Sequence, residues 1–230
     1  MNRIAENNKY SVLIEIDSNI ESSLTFSKEE IEILEKYSND EDENIRSEVA
    51  RILVNFTEER GENILKKLAT DKKSIVRAEA CDSLNQSKSI STYQILKNIA
   101  KLDKNGIVRG YAINSLGKMA KEIDIIDDTK EFLVECLEVE KVVFTKINIY
   151  KALYNFGEQK YLFLLIAKLK TSRYQNRCAT INSLEEIMND TNYNIIRMKL
   201  LELEQVESVY AVTTSIGRVL RTSATLCSKE

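Results

Sequence analysis

A nine-residue pattern returns six times along this chain, and a pattern recurring every thirty-odd residues is the mark of a repeat architecture. Its first two copies are Ile-Arg-Ser-Glu-Val-Ala-Arg-Ile-Leu (45–53) and Val-Arg-Ala-Glu-Ala-Cys-Asp-Ser-Leu (76–84). Val-Arg-Gly-Tyr-Ala-Ile-Asn-Ser-Leu (108–116) and Asn-Arg-Cys-Ala-Thr-Ile-Asn-Ser-Leu (176–184) share their last four residues. Weaker copies lie at 145–153 and 208–216. The closing residues Leu53, Leu84, Leu116, Leu153, Leu184 and Ile216 stand 31, 32, 37, 31 and 32 positions apart.

Each copy reads as a helix. Its first, fifth and ninth positions fall within about 80° on a 3.6-residue wheel and form one buried stripe. A second amphipathic segment precedes every copy: Lys28–Tyr37, Gly61–Ala69, Thr92–Leu102, Asp128–Leu137, Lys160–Leu169 and Tyr193–Leu203. Ser27-Lys28-Glu29-Glu30 has the form of a capping box opening the first of these. Polar breaks such as Ser38-Asn39-Asp40 separate the paired helices. Composition agrees, because six glycines and no proline leave little for the tight turns of a β sandwich.

In four copies an acid stands six positions before the basic residue: Asp40/Arg46, Asp71/Arg77, Asp103/Arg109 and Glu140/Lys146. The acid falls where the second helix begins, where a carboxylate can accept orphan backbone N–H groups. The cation lies within reach of the neighbouring repeat's turn. In the last two copies Thr171 precedes Arg177 and Leu203 precedes Val209, so any ladder of such contacts is expected to end there.

The acid, its arginine and the small and leucine positions after it resemble the HEAT repeat family, especially the short bacterial repeats of phycobilisome lyase subunits. The resemblance covers about residues 27–221 and is clearest over 40–120. It implies an all-α, right-handed α-solenoid (an α-α superhelix) of about six HEAT-like helical hairpins, with second helices on the concave side. It also implies a structural ladder of Asp40, Arg46, Asp71, Arg77, Asp103, Arg109, Glu140, Lys146 and Arg177. Unlike many members, this chain has no proline in its first helices. Residues 1–26 fit the repeat poorly and are expected to form an N-terminal cap or a degenerate repeat. Residues 222–230 are expected to fray.

Chemistry is scarce. The chain has no histidine, which closes Ser-His-Asp and Cys-His catalysis and histidine-ligated metal sites. Cys81, Cys136, Cys178 and Cys227 lie more than forty residues apart, without metal-knuckle or redox-dithiol spacing. The acidic runs Asp40–Glu43, Asp127-Asp128 and Glu185-Glu186 read as solvated caps and turns. Neither a phosphate loop nor a calcium loop is present. No catalytic, cofactor or metal site is therefore expected.

The exposed strip of the second helices is placed one and five residues after the repeat cation. Its candidate partner-binding residues are Ser47, Arg51, Asp82, Asn114, Lys151, Asn182, Tyr210 and Thr214. Small, polar and mixed in charge, this strip suits a protein or peptide better than a nucleic acid, as does a net charge of -3. Tyr111, Tyr150, Tyr154 and Tyr210 add aromatics that serve either recognition or packing between repeats.

The expectation is a non-catalytic, monomeric, cytoplasmic protein-binding scaffold that uses the concave face. By the resemblance, this includes the role of a bacterial toxin-neutralising immunity protein. The alternative is a nucleic-acid-binding protein or a HEAT-like glycosylase or lyase. No signal or membrane-spanning stretch is recognised; the longest apolar run is Tyr161–Ala167.

Overall fold

The repeat pattern dictates alternating helices, and the computed structural model, which describes residues 2–224 apart from Leu24 and Thr57, is built of them. Thirteen α-helices and no strand occur among the described residues. The chain divides into two compact units, residues 1–129 and 130–230.

The first unit holds α1 (Asn2–Ser23), α2 (Lys28–Tyr37), α3 (Glu43–Ile52), α4 (Glu59–Leu68), α5 (Ser74–Ser83), α6 (Ile90–Leu102) and α7 (Gly106–Glu122). The division falls within α8 (Ile126–Val139). The second unit continues with α9 (Val143–Asn155), α10 (Lys160–Ile166), α11 (Tyr174–Glu186), α12 (Tyr193–Glu204) and α13 (Tyr210–Ala224). Short 3₁₀ turns, Leu53–Asn55, Leu84–Gln86 and Ala167–Lys170, finish α3, α5 and α10.

Local signals set the helix ends. Ser27 and Glu30 form the capping box read from the sequence: the Glu30 amide donates to Ser27 Oγ and the Ser27 amide to Glu30 Oε2. Past α9 the chain turns at Gly157, whose φ of 94° is left-handed, and the Glu158 amide closes back on the Leu153 carbonyl.

The buried stripe holds the repeats together. Val49, Ile52 and Leu53 on α3, Ala80 and Leu84 on α5, and Ala112, Ile113 and Leu116 on α7 are all withdrawn from water. Each large aliphatic side chain so buried contributes roughly 1.5–3 kcal/mol. Within the first unit α3 packs on α5, and α5 on α7; within the second, α9 packs on α11, and α11 on α13. Second helix thus follows second helix in a row, as in an α-solenoid.

Residues 2–23 form one helix that packs on α3 and buries Leu13, Ile16 and Ile20. Lys9 Nζ reaches Asp40 Oδ2 at 2.5 Å. Lys9, Leu13 and Ile16 match Arg46, Ala50 and Leu53 in spacing, so α1 takes the place of a second helix. At the other end, Thr222–Ala224 prolong α13, while residues 225–230 of the expected frayed tail lie outside the described residues.

Candidate interaction surface

The ladder links successive repeats, in keeping with the reach of each cation toward the neighbouring repeat's turn. An arginine does not bind the acid six positions before it; it binds the acid of the following repeat. Arg46 donates from Nε and Nη2 to the two Asp71 oxygens at 2.7 and 2.9 Å. Arg77 does the same to Asp103, at the same two distances. From its own repeat each takes a backbone carbonyl: Arg46 that of Asp40, Arg77 that of Asp71 and Arg109 that of Asp103.

Nor is the acid the helix N-cap. It stands two residues earlier and closes the turn by accepting an amide, Lys73 to Asp71 and Asn105 to Asp103. Each aspartate thus serves both its own turn and the arginine behind it. Burial works to raise the Asp71 carboxyl, but the Arg46 bond, the Lys73 amide and the Arg46 charge hold it below the ordinary carboxylate range. Asp103 is lowered by Arg77 and the Asn105 amide in the same way, against its burial.

The ladder also does not end where the acid is lost. Lys146, whose next repeat offers Thr171, meets no acid among the described residues. Arg177 nevertheless binds both Glu207 oxygens at 2.6 and 3.0 Å and takes the Thr171 carbonyl at 2.8 Å. Glu207 stands four residues later in its copy than the expected position, Leu203. Its side chain caps the start of the last copy by accepting the Ser208 and Val209 amides. The Glu140 carboxylate does likewise for Lys141 and Val142.

The expected strip needs a larger correction. Positions one after the cation are Ala78, Gly110 and Ile147, and all three are buried. They lie about 60° from the outward direction on the helical wheel, turned toward a neighbouring helix. Ser47 is half-buried, and only Tyr210, at 83 % exposure, stands fully in solvent at this position.

The row that faces solvent on α3, α5 and α7 runs two before and two, five and nine after the cation. It reads Asn44, Glu48, Arg51, Asn55; Ile75, Glu79, Asp82, Gln86; and Ile107, Tyr111, Asn114, Lys118. Arg51, Asp82 and Asn114 stay in the row, at the five-after positions. The two exposed isoleucines and Glu79 are absent from the sequence reading, although Ile75 and Ile107 stand seven positions before Asp82 and Asn114, and Glu79 seven before Gln86.

Polar groups of this row brace one another across the repeats. Arg51 pairs with Asp17 of α1 and with Glu48. Asn114 Nδ2 donates to Asp82 Oδ1 at 3.2 Å, and Ser115 Oγ to the Cys81 carbonyl at 2.7 Å. Glu79 has neither hydrogen-bond nor ion-pair partner among the described residues. Burial, with Asp82 and Glu48 against the relief from Arg51, pushes its carboxyl up. Burial together with Asp82 and Glu79 raises the Tyr111 phenol. Asn114 Oδ1 is a buried acceptor without a donor.

In the second unit part of the strip is used for packing. Lys151 is buried rather than exposed, and its Nζ meets Glu186 Oε2 at 2.7 Å. Asn182 and Thr214 are exposed, and Asn182 accepts from Arg218, which also pairs with Glu185. Tyr150 stacks on Tyr161 with ring centroids 5.9 Å apart, and the Tyr154 hydroxyl accepts from the buried Asn192. These two tyrosines are packing residues.

Among the described residues no three histidine, cysteine, aspartate or glutamate side chains gather as a metal site, and no helix is long and apolar enough to cross a membrane. Cys81 is buried, and burial pushes its thiol up.

Helical hairpins keyed by an arginine–carboxylate ladder define an α-solenoid of repeats. Residues 31–117 match the family model described as HEAT repeats, and that segment is a run of HEAT repeats. The fold of the chain is similar to that in the complex of CpcE and CpcF of phycocyanin lyase from Nostoc sp. PCC7120. That likeness covers 96% of this chain and 90% of the other at 14% identity, with a TM-score of 0.61. An engineered protein is 20% identical over 96% of this chain and 92% of its own, with a TM-score of 0.37. No curated protein matches the sequence.

Proposed function

We propose that this protein is a non-catalytic scaffold that holds a protein partner on the second-helix row of its first unit. One observation carries the reading: exposed Ile75 and Ile107 flank an unpartnered Glu79 whose carboxyl is raised by burial and by the acids beside it. An apolar patch around an uncompensated acid favours a segment with a lysine or arginine next to an apolar side chain.

The repeat arginines that would line a phosphate-binding stripe are already engaged. Arg46, Arg77 and Arg177 are each bidentate to a carboxylate. This weighs against nucleic acid. The narrower role of neutralising a toxin rests on the family resemblance, and Glu79 between the isoleucines calls for a basic side chain on the contact surface of such a toxin.

Affinity purification from the native cell with mass spectrometry tests the proposal, using the wild type beside an Ile75→Ser/Glu79→Lys variant. A basic protein retained by the wild type and lost by the variant is the expected result. An identical captured set would remove the row from the function.

A further inference from the structure

The second unit carries an apolar groove on the opposite class of helices. It is a cavity of about 430 Å³ between the α10 segment and α12, with Phe163, Ile166, Leu203 and Val206 among its walls. Phe163 and Val206 are 60 % and 80 % exposed, so large apolar side chains are left to water at its mouth. That volume lies within the roughly 300–1,000 Å³ of ligand-sized clefts.

Charge around the groove is one-sided. Between Glu158 and Glu185 the chain has no acid and five cations. Arg177 is spent on Glu207, and Lys160 and Lys168 lie over the Tyr161 and Tyr150 rings at 5.1 and 5.6 Å. Lys170, on the groove wall, and Arg173, just beyond it in sequence, are exposed and have no acidic partner among the described residues. On the facing wall Lys199 is neutralised by Glu202, bonded to both oxygens at 2.8 Å.

We infer that this groove is a docking site for an acidic, apolar segment of a partner protein, with a leucine or aromatic anchor in the cleft and carboxylates meeting Lys170 and Arg173. The surface is separate from the second-helix row. A nucleic acid would leave the apolar walls wet, whereas an acidic amphipathic segment satisfies both features of the groove.

The test is selection of random twelve-residue displayed peptides on the full chain, counting those held at least tenfold more strongly by the wild type than by Val206→Asp. Val206 is mostly in solvent, so the substitution leaves the fold intact, which circular dichroism verifies. Peptides rich in Asp, Glu, Leu and Phe, weakened at least tenfold by Lys170→Glu, are the expected outcome. Neutral or basic peptides, or none dependent on Val206, would overturn the inference. So would a self-association abolished by Val206→Asp, or peptide binding that tightens once residues 225–230 are removed. Those two results would assign the groove to a second copy or to the chain's own tail. Because the readout avoids the second-helix row, its failure is distinct from failure of the proposed function.

Discussion

The two units use the same repeat to different ends. In residues 1–129 the ladder runs without a break from Lys9–Asp40 through Arg46–Asp71 to Arg77–Asp103, and the second-helix row stays open to solvent. In residues 130–230 Thr171 leaves Lys146 without an acid and the row is partly closed by Lys151 and the stacked tyrosines, while the first helices expose an apolar groove. A regular ladder leaves a helix face open to solvent. Where it lapses, buried polar and aromatic contacts take over the fastening, and the available surface moves to the other helices.

The largest expected effect tests the ladder itself. Arg77→Ala leaves Asp103 and the Asp71 carbonyl without their donor in a nearly dry site, and should cost about 3 kcal/mol by urea denaturation. Hydrogen exchange should place the loss in residues 40–120. A cost below about 1 kcal/mol would remove the contrast between the units.

Acid should separate the units next. Asp71, Asp103 and Glu207 have folded pKa values below the ordinary range, so their stabilisation is present above the unfolded value near 4 and is lost as pH falls through the folded values. The first unit also has Asp40 and Glu62 lowered, despite their burial, by Lys9 and by Ser87 and Thr92. Its amide protection should therefore fall more steeply between pH 5 and 3 (about the range of carboxylate titration). Equal slopes in the two units would contradict this.

Lys151→Ala should cost about 1–2 kcal/mol through lost packing of its buried stem, against less than about 0.5 for exposed Arg51→Ala. Thermal melts of the two variants compare the closed and open stretches of the row directly. The smallest effect has the opposite sign. Glu79→Gln should raise the melting temperature by about 1–2 °C at pH 7, because it removes a charge that burial disfavours. Since the folded pKa of Glu79 is raised, the gain should fade as pH drops through that value. A destabilised variant would mean that Glu79 has a fastening role.

The helical hairpins were legible because the buried stripe follows helix geometry alone, and α2 was read to the residue from Lys28 to Tyr37, with Ser27 as its cap. The ladder residues were legible, and so was the reach of each cation to the neighbouring repeat's turn; the atoms that meet there were not, because only stacking brings the Asp71 carboxylate onto Arg46 and leaves Arg77 the Asp71 carbonyl. Glu207 was missed because a glutamate four positions later in the copy reaches the same arginine with a longer side chain. Lys151 looked exposed because the wheel of one helix does not show the neighbour at Glu186. In α1 the cation and the apolar spacing of Leu13 and Ile16 are visible, but Arg3 stands six positions before Lys9 where four other copies have an acid.

The way each arginine holds its own carbonyl and the next carboxylate gives the repeat a head and a tail, like a tile with one tongue and one groove. Asp71 and Asp103 offer the same tongue to Arg46 and Arg77, with matching distances. Excising residues 72–103 would therefore present Arg109 with the Asp71 carbonyl in place of the Asp103 carbonyl and leave the joint to Arg46 untouched. A chain keyed in this manner can lengthen or shorten by whole tiles in its first unit, and the span of its second-helix row would change in equal steps.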